Sequence, residues 1–364
     1  MLSTKINCGK SKNRELVMSV EKDGSRNTSL DVLRCLLMFG VILTHVCAFC
    51  QYGVRVPYEQ YAVADCLTHP SVDGFAALSG WFGVKCSWKK LWKLGSLIFF
   101  CGTLVWILHE LGVALLGESY RSLFGAVITH HSWGYECYRF WYLGAYLKLM
   151  VLSIVLNPIL ARITKLKKIW IILIGMSFVG LSYGSTAWVH WESHSPRTII
   201  FIYIVVRFIM MFDFAKKVKT SKTLHRTVGA LLLACLLMIA LNAHYHLGFS
   251  SGNYANPLVI LTGFLAVAWF SALNVSRNSL VSKFCALAAP SVVSIYMLHC
   301  GFTHSSFVPI PRYLMGVMHS ILAFLTCAII LFCFCLGFDL IRRYCLSFVR
   351  EHGPRNGVWS WLLS

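Results

Sequence analysis

Ten apolar runs, each close to the length of a bilayer crossing, constrain this chain more than any motif does. They cover roughly 30–50, 70–86, 91–117, 139–160, 169–189, 197–215, 227–248, 255–275, 284–306 and 314–340. About 20 apolar residues in a helix cross the ~30 Å hydrocarbon layer, and a helix bonds every backbone N–H and C=O within itself. The expected fold is therefore all-α: a polytopic membrane protein with about ten transmembrane helices in one bundle. The run at 70–86 is the most diluted, by Asp73 and several glycines. With 57% hydrophobic and 13% charged residues, the composition excludes an ordinary soluble domain. Residues 1–28 read as a disordered cytoplasmic tail, 29–345 as the transmembrane domain and 346–364 as a second cytoplasmic tail.

A net charge of +19 would suit a nucleic-acid partner if the cations formed one surface, but they do not. Basic residues gather at 5–34, 85–93, 162–168, 216–226, 277–283 and 342–355, whereas the other loops hold single arginines such as Arg55 and Arg312. Ten spans put all the rich clusters on one side. The positive-inside rule then places both termini in the cytoplasm of a plasma (inner) membrane protein, with the lipid bilayer as partner and no nucleic acid. Most of the 15 cysteines lie within spans, where thiols behave as small hydrophobes, so no disulfide framework is expected. Cys66 and Cys137, in outer loops, are the one pair placed to bond. The C-x-x-C at Cys47–Cys50 beside His45 lacks the second pair that a structural metal site requires, and no metal is expected.

The first run carries the chemistry. Its helix, NTSLDVLRCLLMFGVILTHVCAFC, holds Asp31, Arg34 and His45. At 3.6 residues per turn Arg34 and His45 lie about three turns apart on nearly one face, with Asp31 a turn before Arg34. Ionisable groups in a spanning helix cost a few kcal/mol each and face a protein interior or a wet cavity. By depth, His45, Asp73, Tyr296 and His299 fall in the outer half, and Arg34 lies at the inner end with Lys89, Lys90 and Lys93. Between these levels stand Ser79 and Gly80. No H-E-x-x-H, P-loop or dinucleotide fingerprint is present.

LDVLR followed by His45 resembles the opening signature of the integral-membrane acyltransferase-3 family. SVDGFAALSGWFG (71–83) is similar to that family's VDxFFxxSGY segment, with Lys89, Lys90 and Lys93 where it carries a basic run. FWYLGAYLKLMVLSIVLNPIL (140–160) and SIYMLH (294–299) match two later segments. Gly74, Ala76 and Ala77 stand where the pattern has bulkier residues, and the family's upstream arginine is matched only by Arg26.

The resemblance implies a membrane enzyme that moves an acetyl or other short acyl group from acyl-CoA to a hydroxyl of an envelope polysaccharide or lipid-linked glycan. Acyl-CoA would be a co-substrate rather than a bound cofactor. On this reading the donor's phosphates rest on Arg34, Lys89, Lys90 and Lys93, and its thin arm passes Ser79 and Gly80. His45 is the general base, Asp73 orients it, and Asp31 completes the catalytic stripe. Trp141, Tyr296 and His299 are acceptor-side candidates. Direct transfer and an acyl-histidine intermediate are both open.

Each residue also has a plainer reading. Arg34 can snorkel to the surface, Asp31 can answer a helix dipole, and Asp73 can cap a helix. Ser79 and Gly80 can be a packing pair, the lysines can be topological, and Trp141 can be an interfacial anchor. His130, His131 and Glu136 fit an acceptor site or an exposed loop equally. Arg207, mid-span, needs a partner or water. The competing class is a glycan exporter without transfer activity, in which buried charges would line a permeation path.

Overall fold

The computed structural model describes residues 27–53, 61–116, 140–163, 165–177, 195–245, 247, 253–303, 313–314 and 320–352. Helices account for nearly all of them, and no strand forms among the described residues. In chain order they are α1 Thr28–Gly53, α2 Ala62–Thr68, α3 Pro70–Phe82, α4 Trp88–Leu116 and α5 Trp141–Ile163. There follow α6 Lys168–Ser177, α7 Pro196–Met210, α8 Phe214–Thr220, α9 Lys222–Tyr245 and α10 Pro257–Ala272. The last are α11 Leu280–Ala288, a 3-10 turn at Ala289–Ser291, α12 Val292–Thr303 and α13 Ser320–His352.

The protein is an all-helical, multi-pass membrane protein. Six helical segments are long and apolar enough to cross a bilayer: α1, α4, α5, α9, the α11–α12 segment and α13. A seventh is counted if α7 and α8 form one broken span, bent by 62°. Asp213 at that break takes a left-handed φ of 55°. The other three expected spans fall on α3 and α10, which are shorter, and on α6, where 178–189 of the expected span lies outside the described residues. At 1.5 Å per residue the 13 residues of α3 reach ~20 Å and the 16 of α10 ~24 Å, less than the hydrocarbon thickness. The expected count of ten is therefore not reached by length among the described residues. Helix α13 also runs to His352, past the expected domain boundary at 345.

Burial sorts the spans. In the apolar window of α1, 72% of residues are buried, against 17% for α9 and 6% for α4. The outer helices instead expose Phe99, Trp106, Leu233 and Leu237, as a lipid-facing surface does. The helix bearing the sequence's ionisable stripe is thus the bundle's interior helix. Short α3 lies beside it, packed chiefly on α10 and α7 and then on α1. Small residues permit this contact: a Cβ built on Gly263 of α10 would stand 2.7 Å from the Gly74 backbone nitrogen and 3.0 Å from the Asp73 Cβ. One on Gly80 would stand 2.7 Å from the Val206 Cβ of α7.

Candidate functional site

Helix α1 begins with a cap. Asn27 Oδ1 accepts from the backbone N–H of Ser29 at 3.1 Å and of Leu30 at 3.3 Å, satisfying two of the helix's unpaired first-turn donors. The Ser29 hydroxyl donates to the Leu273 carbonyl at 2.6 Å, which ties this end to the end of α10. One turn in, Asp31 is 1% exposed and accepts a 2.8 Å hydrogen bond from Arg34 Nη1. The Arg34 guanidinium lies 5.4 Å above the Phe82 ring of α3. A second Asp–Arg pair with the same spacing, Asp339–Arg342 at 2.7 Å, stands near the end of α13, which packs on α1.

Fourteen residues beyond Asp31, ~21 Å along the helix, His45 meets His299 of α12. His45 Nδ1 and His299 Nε2 are 2.8 Å apart, with the rings stacked at 5.0 Å. His299 is fully buried, and its Nδ1 lies 2.9 Å from the Ile295 carbonyl. A carbonyl only accepts, so His299 Nδ1 carries the proton and, in the neutral ring, Nε2 carries the lone pair. The short contact is then His45 Nδ1–H donating to His299 Nε2. That leaves His45 Nε2 unprotonated, the form a general base requires. Cys300 Sγ also approaches His299 Nε2, at 3.5 Å, as a weaker donor.

His45, His299 and Cys300 are also a group able to hold a metal, with ligand atoms within 4.8 Å of one another. Two nitrogens on a tetrahedral zinc stand ~3.3 Å apart, from bonds of ~2.05 Å. The observed 2.8 Å separation fits a shared proton better. Cys47 of the C-x-x-C is buried, and the side chain of Cys50 lies outside the described residues.

A file of aromatic rings leads away from the histidines. Tyr296 meets His299 at 5.7 Å and Tyr142 at 6.2 Å; Trp141 lies 5.9 Å from Tyr142 and 5.6 Å from Tyr254. Tyr254 in turn lies 5.2 Å from His69, whose Nδ1 is 2.8 Å from the Asp65 carbonyl. Burial pushes the Tyr254 hydroxyl up from its ordinary range, and the carboxylates of Asp73 and Asp65 add to this. Burial also raises the Asp65 carboxyl, and neighbouring His69 pulls it partly back. Trp141, Tyr296 and His299, the expected acceptor-side residues, thus share one end of the bundle with His45.

Asp31 is bonded to Arg34 at the other end of α1 from His45, as their separation of fourteen helical residues requires. Asp73 is fully buried, but neither of its oxygens has a hydrogen-bond partner among the described residues. The group that meets His45 Nδ1 is instead His299 Nε2. Ser79 donates back to the Phe75 carbonyl at 3.0 Å, and Gly80 is closed off by Val206 and Tyr203. Gly80 thus makes a close helix–helix contact with α7, while the Ser79 hydroxyl bonds within its own helix. Lys89, Lys90 and Lys93 are exposed on the first turns of α4, where the expected basic mouth lies. Cys66 is buried; its suggested partner Cys137 lies outside the described residues, as do His130, His131, Glu136 and the terminal tails at 1–26 and 353–364.

Several residues escaped the sequence reading. The loop after α3 is locked by a closed cycle: Val84 N–H donates to Tyr203 Oη at 3.3 Å, Tyr203 donates to Asn157 Oδ1 at 2.7 Å, and Asn157 Nδ2 donates to the Val84 carbonyl at 2.7 Å. The only local signal is a polar Asn157-Pro158 inside an apolar span. Neither a curated protein nor a solved structure gives a match to the chain. A family model described as an acyltransferase domain matches residues 27–339, from the cap of α1 to the buried Asp339, a range that takes in both histidines, the Arg34–Asp31 pair and the aromatic file. The chain belongs to the acyltransferase-3 family.

Proposed function

We propose that the protein is a membrane O-acyltransferase that moves an acetyl or other short acyl group from cytoplasmic acyl-CoA to a hydroxyl of an envelope polysaccharide or lipid-linked glycan. The observation that carries this reading is the His45–His299 pair, which presents an unprotonated Nε2 at one end of the most buried span while Arg34 and the exposed lysines gather at the other.

On this reading the donor's phosphates bind at the basic end, where guanidinium and ammonium groups pair with phosphate, and the thioester lies at His45. His45 Nε2 accepts the acceptor's hydroxyl proton as the oxygen attacks the thioester carbonyl. Neutral His299 keeps accepting from His45 Nδ1–H and so favours the imidazolium that forms. Collapse of the tetrahedral intermediate breaks the C–S bond, and the departing thiolate recovers the proton from His45. Trp141, Tyr142, Tyr254 and Tyr296 offer flat faces of the kind that pack on a sugar ring. Asp73 lies beside this file and can take a hydrogen bond from a bound hydroxyl. Ten membrane crossings with the basic end in the cytoplasm complete the reading, in a plasma (inner) membrane.

The test is transfer of label from radiolabelled acetyl-CoA to purified envelope glycan by the detergent-solubilised protein. Wild type transfers label and His45→Ala does not. Undiminished transfer by the variant overturns the role of His45, and absence of transfer by wild type overturns the enzyme reading.

A further inference from the structure

Arg207 of apolar helix α7 is half-buried; its Nε is buried without a hydrogen-bond partner, and the side chain makes no ion pair, among the described residues. Its Nη1 passes 3.2 Å from where a Cβ would stand on Gly83, whose φ is +79°. Only glycine takes that backbone conformation without strain and leaves room for the guanidinium. The loop above is held firmly, because Val84 has both its N–H and its carbonyl in the cycle with Tyr203 and Asn157. Arg207 also lies within electrostatic range of the Tyr203 hydroxyl.

The neighbouring cation differs. Arg34 sits over Phe82, the residue before Gly83, but its charge is answered by Asp31 at 2.8 Å. Arg342 is likewise answered by Asp339. Arg207 therefore stands out as a guanidinium without a counter-charge among the described residues, set under a pinned loop that leads directly to Lys85, Lys89 and Lys90. A half-buried cation whose Nε has lost water without gaining a bond is stabilised when an anion binds it. The guanidinium fork matches a phosphate's oxygens, and the adjoining exposed lysines favour a multiply charged group over a single carboxylate.

We infer that Arg207, with the Gly83–Ser87 loop, forms a phosphate-binding subsite, and that its ligand is the phosphorylated nucleotide end of the acyl donor. This inference rests on the acyl-CoA reading above. An anionic lipid headgroup carries the same chemistry, so the experiment has two arms.

The full chain is reconstituted in nanodiscs of neutral lipid and titrated with coenzyme A and with adenosine 3′,5′-bisphosphate; in parallel, the detergent-solubilised chain is titrated with phosphatidylglycerol. Wild type, Arg207→Gln and Arg207→Lys are compared after each elutes as a monodisperse species. Loss of a charge-assisted hydrogen-bonded contact weakens coenzyme A and the bisphosphate about tenfold or more in R207Q, with partial recovery in R207K. Weakening of phosphatidylglycerol alone assigns the phosphate subsite to lipid and overturns the donor assignment. Equal affinities of wild type and R207Q for all three probes overturn the subsite. Failure of wild type itself to bind coenzyme A overturns the donor reading instead, an outcome distinct from an R207Q protein that binds as wild type does.

Discussion

The imidazoles of His45 and His299 share a proton across 2.8 Å although 254 residues separate them in the chain. The Ile295 carbonyl sets the direction of that bond by claiming the other nitrogen of His299. Replacing His299 with leucine removes the acceptor and frees the His45 ring to take the wrong tautomer. Transfer should fall by about 10²–10⁴, the range for loss of general acid–base assistance. Glutamine can still accept through its carbonyl oxygen and should retain more activity than leucine. Both variants, like wild type, should lose rate on the acid side, where a protonated His45 cannot accept. Rates of labelled-acetyl transfer across a pH series check the order.

Asp31 and Arg34 form a half-sheltered ion pair at the other end of the same helix. Arg34→Ala removes the cation bonded to a buried carboxylate and should lower stability by about 1–3 kcal/mol, below the full cost of breaking a buried pair because Arg34 is about one-third exposed. Asp31→Asn combined with Arg34→Gln should be milder than Arg34→Ala alone. Thermal unfolding midpoints in detergent measure the order.

Asp73 is a fully buried carboxylate without a hydrogen bond among the described residues. A protein that keeps such a group against its desolvation cost uses it. Asp73→Asn should raise the unfolding midpoint and lower acyl transfer. A variant with both midpoint and activity unchanged would remove Asp73 from the site.

Gly263 and Gly80 are close-approach positions, whereas a Cβ on Gly144 meets nothing within 4 Å among the described residues. Gly263→Ala drives a methyl into the Asp73–Gly74 backbone, which cannot swing aside, and should cost about 1–3 kcal/mol as overpacking. Gly144→Ala should be neutral or slightly stabilising, since alanine favours the helix. Unfolding midpoints of the two variants, compared side by side, decide.

Tyr203→Phe removes one hydroxyl that both accepts from Val84 and donates to Asn157. Loss of the two bonds should cost about 1–3 kcal/mol in total and loosen the loop over Arg207. Faster amide exchange at residues 83–87 is the specific signature.

The helical class, the apolar segments and the gathering of Arg34 and the lysines at one end were legible in the chain, because hydropathy and charge act locally and need no knowledge of neighbours. Even the two levels of polar residues followed from counting along α1 at 1.5 Å per residue. Which faces meet was not legible. Lipid is as apolar as leucine, so a spanning helix shows no hydrophobic contrast between its lipid side and its protein side, and periodicity is silent about rotation. The contacts of small residues such as Gly263 and Gly80 settle that rotation, and only then does His45 face His299 while Asp73 is buried without a hydrogen bond among the described residues. The sequence alone determined which residues could do chemistry and at what depth; the packing of α3 against α1, α7 and α10 decided which of them meet.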